Sequence, residues 1–176
     1  DSLGDAAMHR LRRGGDREQI AWALINSGVT ARYRGDLVGA EILLHQAYEV
    51  SEQVGYAEGI AWTRNQLGVV ARLTGQIQNA RELQEASLVA HSQLGDRWRM
   101  SSVYDELAAI AVETGDFRQA AAQLGAADRL RADIKTPIPA IEQADRDATV
   151  AATKEALGSA YRAATLAGLL DGGDHS

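Results

Sequence analysis

The sequence contains no cysteine, only two prolines and a single phenylalanine. Without cysteine, a disulfide framework and thiolate chemistry are excluded. β-branched and aromatic runs are also scarce, which argues against strands, whereas the abundant alanine, leucine, glutamate and arginine favour helix. No apolar stretch approaches the roughly 20 residues that cross a bilayer. The composition therefore predicts an all-α domain, which we expect to be cytoplasmic and not to contact a membrane.

The motifs of common catalytic sites are missing as well. Lys135 and Lys154 are the only two lysines, and neither lies in a phosphate-binding glycine loop. The histidines form no pair at metal-ligand spacing, so we interpret them as polar residues on helix faces. They are His9, His45, His91 and His175. We therefore predict that the chain is not an enzyme and uses neither a cofactor nor a metal.

The charge of the chain argues against direct nucleic-acid binding. Its net charge is −6, and affinity for phosphate backbones depends on an excess of basic residues. A short arginine cluster near the start is interpreted as solvated helix surface. It consists of Arg10, Arg12, Arg13 and Arg17. The first residue is Asp1 and not methionine, so we expect a piece of a longer protein or a processed product.

A twenty-residue period organises most of the chain. Glycine stands at positions 15, 35, 55, 75, 95 and 115, and aspartate follows it at 16, 36, 96 and 116. Glycine is the usual residue just after a helix, and aspartate is a preferred residue just before one. Each glycine therefore ends one helix and starts the next, which predicts helical hairpins of forty residues.

These turns predict a single domain at residues 3–170. It has a partial repeat at 3–14, full repeats at 15–54, 55–94 and 95–134, and capping helices at 139–170. Pro137 and Pro139 interrupt the pattern before the caps, because proline cannot continue a helix. We expect the caps to form helices at about 140–157 and 159–170. Residues 171–176 are predicted to be a mobile tail.

Small residues recur at fixed places in the repeats. Gly28, Gly68 and Ala108 coincide when the units are aligned. So do Ala40, Ala80 and Ala120, and likewise Ala47, Ser87 and Ala127. A glycine inside a helix costs about 1 kcal/mol, and a close helix–helix contact explains why that cost is accepted. Gly125 lies outside this set, and we predict that it tolerates substitution better.

Three segments carry a family resemblance: GDREQIAWALINSG, VGYAEGIAWTRNQLGVVARLTGQ and LGDRWRMSSVYDELAAIAVETGDFRQAAAQLGAADRLR. They resemble tetratricopeptide repeats in the longer form of about forty residues. More narrowly, they are similar to the C-terminal repeat regions of LuxR-type and antibiotic-regulatory-type bacterial transcriptional regulators that carry a signal-transducing ATPase module. The resemblance extends roughly from Leu3 to Leu170. It implies a right-handed superhelical stack of antiparallel hairpins closed by C-terminal capping helices.

The resemblance implies a recognition domain, either the sensor or docking domain of such a regulator or a free-standing adaptor between proteins. Its partner is expected to be a protein, a peptide or a small effector. The first helix of each repeat would line a binding groove. The predicted groove residues are Trp22, Ile25, Val29, Arg32, Trp62, Asn65, Val69, Arg72 and Asp105. A homodimer through the N-terminal repeat is a further expectation.

Overall fold

The computed structural model describes the backbone of residues 2–171 and the side chains of residues 15–168. Over this range the chain is helical and contains no strand, which confirms the all-α prediction. The helices are α1 (Ser2–Tyr33), α2 (Leu37–Val54), α3 (Ala57–Leu73), α4 (Ile77–Leu94), α5 (Arg97–Glu113), α6 (Phe117–Ile134), α7 (Gln143–Leu157) and α8 (Tyr161–Asp171). A short 3₁₀ turn at Gly158–Ala160 joins the last two. The predicted tail beyond Asp171 lies outside the described residues.

The chain divides into two compact units, Asp1–Leu83 and Gln84–Ser176, and the boundary falls within α4. The first unit contains α1, α2, α3 and the start of α4. The second contains the end of α4 and the helices α5 to α8. The prediction of a single domain at residues 3–170 is not tested by this division and stays a prediction.

The periodic glycines form the turns between successive helices. Gly35, Gly55, Gly75, Gly95 and Gly115 all adopt the left-handed conformation, with φ between 68° and 83°. After each of them, the next backbone N–H donates to the carbonyl five positions earlier, as from Asp36 to Ala31 at 3.0 Å. Aspartate then caps the next helix, since Asp36, Asp96 and Asp116 each accept from the amide three residues on. The predicted turn chemistry is confirmed at these positions.

The structure corrects the prediction at Gly15 and Asp16. Helix α1 continues through both residues as part of a 32-residue helix, so residues 3–14 are not a separate helix. Glycine permits a left-handed turn but does not impose one. At Gly35 the packing of α1 against α2 fixes the turn, whereas a helix without such a reversal keeps its own hydrogen bonds at the modest cost of a glycine.

An apolar core holds the first unit together. Its fully buried members come from α1, α2 and α3 and include Ile25, Ala40, Leu44 and Val70. At Gly28 helices α1 and α2 touch, because an added Cβ would lie 2.8 Å from Cγ of Leu44. The predicted close contact at Gly28 is therefore confirmed, and the nearest atoms facing it belong to the buried side chain of Leu44.

In the second unit, two helix backbones come into direct contact. Gly125 of α6 lies against the backbone of Thr165 in α8, and Gly168 of α8 lies against the backbone of Ala122 in α6. A Cβ at either glycine would overlap the facing carbonyl oxygen. The prediction that Gly125 tolerates substitution is thus wrong. The repeat alignment could not reveal this contact, because α8 lies outside the repeats.

Among the helices that the structure describes, none is both long and apolar enough to cross a membrane.

Candidate functional site

A stripe of residues on α1 faces outward from the first unit. Trp22, Val29 and Tyr33 follow one another at seven and four residues, so they lie almost in line along the helix. The side chain of Trp22 is 53% exposed and that of Tyr33 is 40% exposed. Val29 is half-buried and packs on the apolar core below. We call these three residues the aromatic stripe.

Arg32 adds a cationic group to this stripe. Its guanidinium lies over the ring of Tyr33, 4.0 Å from the ring centroid, which is a favourable cation–π distance. Arg32 is half-buried, and its Nε has no hydrogen-bond partner among the described residues. The arginine is therefore held against the aromatic ring and offers a planar donor beside it.

Helix α3 presents the equivalent residues differently. Trp62 is half-buried and packs against the apolar core of the first unit. Asn65 and Val69 are buried, with 6% and 5% exposure, and Arg72 is half-buried. The Oδ1 of Asn65 accepts a hydrogen bond from the side-chain amide Nε2 of the neighbouring Gln66 at 2.7 Å. Of these predicted groove residues, Trp62 and Arg72 keep accessible surface.

The structure also places two other predicted groove residues elsewhere. Ile25 has no exposed surface and belongs to the core between α1 and α2, because its position on α1 faces α2. Asp105 forms ion pairs with two arginines. Its Oδ2 accepts from Nη2 of Arg131 at 2.5 Å, and its Oδ1 accepts from Nε of Arg146 at 3.0 Å. Neither Ile25 nor Asp105 is therefore a free groove residue in this structure.

Asp105 belongs to an ion-pair network that joins α5, α6 and α7. Arg146 of α7 contacts both Asp105 of α5 and Asp128 of α6. Arg131 of α6 is 7% exposed, and its Nη1 has no partner among the described residues. Next to the network, Ser102 donates to Glu142 at 3.3 Å. We call the paired residues Asp105, Asp128, Arg131 and Arg146 the ionic cluster.

Burial and neighbouring carboxylates change the ionisation of Glu142. Burial raises the pKa of its carboxyl group, the hydrogen bond from Ser102 opposes this, and the nearby negative charge of Asp105 adds to it. Burial also raises the pKa of the Tyr104 hydroxyl group. The segment before α7 is thus joined to α5 by a carboxyl group that is easier to protonate than a solvated one.

His91 is a buried residue that the sequence did not reveal. It was interpreted as a polar residue on a helix face, but its side chain has no exposed surface. Burial lowers the pKa of His91 to about 4, with Asp96 opposing and Arg99 adding to the shift. Its Nδ1 lies 3.6 Å from the Asp96 carboxylate, which is too far for a hydrogen bond. Ser87 aligns with the buried Ala47 of the first repeat, and His91 lies four residues after Ser87 on the same helix. Residues four apart share a helix face, so this spacing is the sequence signal that places His91 on the buried face.

The hairpins and their glycine turns define a helical-repeat protein. A model of the tetratricopeptide repeat matches residues 19–88, which extend from α1 into α4. The match supports assigning these hairpins as tetratricopeptide repeats, which typically mediate binding to protein partners. No curated protein and no solved structure matches the chain.

Proposed function

We propose that this chain is a docking domain that binds a protein or peptide partner through the aromatic stripe. The observation that carries this proposal is the half-exposed indole of Trp22, in line with Tyr33 and beside Arg32. Tryptophan, tyrosine and arginine are the residues that most often dominate binding energy at interfaces. Trp62 and Arg72, at the equivalent positions of the second repeat, extend the proposed surface.

We infer that the chain acts by binding and not by catalysis. Tetratricopeptide repeats are generally non-catalytic scaffolds. The charged groups of the ionic cluster are engaged with one another, since Asp105 is paired with both Arg131 and Arg146. A carboxylate paired with two arginines has a structural role for as long as both ion pairs persist.

The wider context that we propose is a bacterial transcriptional regulator, in which partner binding is passed on to an ATPase or DNA-binding domain. This context rests on the resemblance of the sequence to the repeat regions of such regulators. A free-standing adaptor is equally compatible with the helical repeats. The coding sequence upstream of Asp1 distinguishes them, because a Walker-type loop and a helix-turn-helix segment there favour the regulator and a nearby start codon favours the adaptor.

The docking proposal is tested by partner capture with the natural full-length protein and two tryptophan variants. Trp22→Ala removes the most exposed member of the stripe, and Trp98→Ala removes a similarly exposed tryptophan that pairs with Arg99 in the second unit. We expect the affinity for the captured partner to fall at least about tenfold for Trp22→Ala and to stay unchanged for Trp98→Ala. Equal binding by both variants and the wild type, with helicity retained, would refute the stripe as the binding surface.

We also propose that the first unit forms a homodimer. Ile20, Val38 and Ile42 of α1 and α2 are at least half-exposed, and exposed apolar groups of this size favour association. Sedimentation velocity is the test, with Ile42→Asp as the disrupting variant and Val89→Asp as the matched control on α4. Strictly monomeric wild-type protein at high concentration would contradict the proposal.

A further inference from the structure

Helix α7 is held to the second unit by very little apolar surface. Only two of its 15 residues are buried, and both are threonines, Thr149 and Thr153. Each threonine hydroxyl donates to the carbonyl four residues earlier in the same helix, so neither uses it to bind another helix. Its half-buried Val150 packs on the small apolar cluster of α5 and α6, and Leu157 at the end of α7 is half-buried as well. The hold on α7 therefore depends strongly on its charged groups.

The contacts of α7 with α5 and α6 lie along one seam. Arg146, Thr149, Val150 and Thr153 stand at helix spacings of three, four and seven residues and lie on one face. The residues on the other side of α7 are exposed, among them Asp145, Ala148 and Ala151. Binding through one face of a helix is a common form of peptide recognition, and in α7 that face combines an arginine and two threonines with one valine. A 15-residue helix of this kind is marginal by itself, so the surface beneath stabilises it.

The surface beneath α7 is complementary in charge and shape. Asp105 and Asp128 meet the arginine end of the seam, and the cluster around Ala108, Ala111 and Leu124 meets Val150. Arg131 sits under Asp105 and fixes its orientation through the 2.5 Å hydrogen bond. The Nη1 of Arg131 is buried and has no partner among the described residues, so it can donate one more hydrogen bond to an acceptor at this surface. The surface is therefore built to bind a helix that carries an arginine.

We propose that the α5–α6 hairpin presents a docking surface for a helix, that α7 fills it in this chain, and that an external partner helix competes with α7 for it. The partner helix carries an arginine, followed by small or β-branched residues three, four and seven positions later. This surface lies on the second unit, and the proposal does not depend on the aromatic stripe of the first. It concerns α7 as a replaceable occupant and not as a permanent cap.

Both ends of α7 allow it to leave the surface while its neighbours stay. On one side, Lys135 ends α6 with a φ of 53°, and residues 135–142 form an irregular segment before α7. On the other side, Gly158 ends α7 with a φ of 52° and a ψ of −124°. Helix α8 is anchored separately through Gly125 and Gly168. Release of α7 breaks the contact of Lys154 with the Tyr161 ring of α8, 5.3 Å from the ring centroid, but leaves the contact between α6 and α8 in place.

The first experiment measures amide hydrogen exchange in the full chain. Arg146→Ala removes the ion pairs of Arg146 with Asp105 and Asp128, and Arg162→Ala removes an exposed arginine of α8 as a matched control. We expect amides of α7 to exchange at least about tenfold faster in Arg146→Ala, while those of α5, α6 and α8 keep their wild-type rates. Arg162→Ala should match the wild type throughout. Unchanged α7 exchange in Arg146→Ala would overturn the proposal.

The second experiment supplies the helix from outside. A fluorescent peptide with the sequence of residues 140–158 serves as the partner helix and is titrated against each full-length chain by anisotropy. We expect it to bind Arg146→Ala at least about tenfold more tightly than the wild type, whose own α7 occupies the surface. A peptide with alanine in place of its arginine should not bind. Equal binding by both peptides, or equal binding to both chains, would overturn the proposal.

A third pair of variants covers the case in which Arg146→Ala does not fold. Arg146→Lys keeps the charge but loses the planar geometry that serves Asp105 and Asp128 together. It should give an intermediate increase in α7 exchange and in peptide binding. Asp105→Asn weakens the surface itself, so it should speed α7 exchange without gaining peptide affinity. Wild-type behaviour in Arg146→Lys, or tight peptide binding by Asp105→Asn, would contradict the proposal.

Discussion

The same repeat position has a different role in each repeat. Trp22, Trp62 and Ser102 stand forty residues apart at equivalent places. Trp22 is exposed on α1, and Trp62 packs on the apolar core of the first unit. Ser102 donates a hydrogen bond to Glu142 in the segment before α7. This repeat position is therefore exposed in the first repeat, packed on the core in the second and hydrogen-bonded in the third.

The neighbouring position changes in the same direction. Ile25 is a fully buried core residue, Asn65 is a buried polar residue, and Asp105 is a carboxylate paired with two arginines. The repeat pattern thus fixes the position of a residue on its helix, and the neighbouring helices decide whether its side chain is exposed, buried or paired. The first unit depends mainly on apolar packing. The second depends more on charge, on a buried histidine and on backbone contact, so the two units should respond to different perturbations.

Matched glycine substitutions should separate the two units most strongly. Gly125→Ala places a Cβ against the backbone of Thr165, which cannot move aside as a side chain can. We expect a loss of about 3 kcal/mol, at the upper end of the usual overpacking range. Gly28→Ala meets Cγ of the buried Leu44, a side chain that can shift further than backbone can, and it gains helix propensity, so we expect a smaller loss of about 1 kcal/mol. Urea denaturation measures both, and a Gly125→Ala variant as stable as Gly28→Ala would contradict the direct backbone contact.

Tryptophan truncation compares the two equivalent indoles of the first unit. Trp62→Ala should cost about 2–3 kcal/mol, somewhat less than the range for a fully buried ring, because Trp62 is half-buried against the core. Trp22→Ala should cost less than about 1 kcal/mol, as is usual for a surface position. The midpoints of urea denaturation give both values. Similar losses at the two positions would mean that Trp22 is also a core residue.

Lowering the pH should destabilise the protein through His91. Its pKa falls from an ordinary 6.5 to about 4 in the folded chain, so the unfolded chain binds the proton more readily between these values. The stability that comes from neutral His91 is fully present above pH 6.5 and is lost as the pH falls towards 4. At pH 5 the loss relative to pH 7 should be about 2 kcal/mol.

The pH effect is checked by urea denaturation of His91→Leu and His45→Ala at both values of pH. His91→Leu removes the titrating group and should lose most of the difference between pH 7 and pH 5. His45 is exposed on α2, so His45→Ala should keep the wild-type difference. An unchanged pH difference in His91→Leu would show that other groups cause it.

The smallest effect is expected at Lys135, the position where the glycine period ends. Lys135 adopts the left-handed conformation with a φ of 53°, as the periodic glycines do. A residue other than glycine is strained there by about 1–2 kcal/mol, although glycine loses more backbone entropy on folding. Lys135→Gly should therefore stabilise the second unit by about 0.5–1 kcal/mol. The melting temperatures of Lys135→Gly and of a control variant, Arg162→Gly, test this prediction. The control places a glycine in helix α8 and should be destabilising. A lower melting temperature for Lys135→Gly than for the wild type would contradict the prediction.

Much of the fold could be predicted from local signals in the sequence. Glycine and aspartate favour the turns through their own backbone preferences, so the helix boundaries at Gly35 and Gly115 could be predicted from a few adjacent residues. Gly15 and Asp16 show the limit, because the same two residues lie inside α1. A turn needs a second helix that packs back on the first, and this requirement is not written in the dipeptide.

The candidate site was less predictable because it depends on contacts between distant segments. The exposure of Trp22 followed from its helix position, but the burial of Ile25 three residues later depends on α2. Asp105 was expected in a groove, and its two arginine partners come from α6 and α7. The backbone contact of Gly125 with Thr165 likewise joins residues forty positions apart outside the repeat pattern. Long-range pairings of this kind have no local signature.

The spacing of the aromatic stripe sets a minimum length for its partner. Eleven residues separate Trp22 from Tyr33, and at about 1.5 Å per residue the two rings are anchored about 16 Å apart along α1. An extended peptide covers this distance with about five residues at 3.3 Å each. A partner that uses both ends of the stripe must therefore be a segment of polypeptide or a molecule of similar length, whereas a compact effector can reach only one of them at a time.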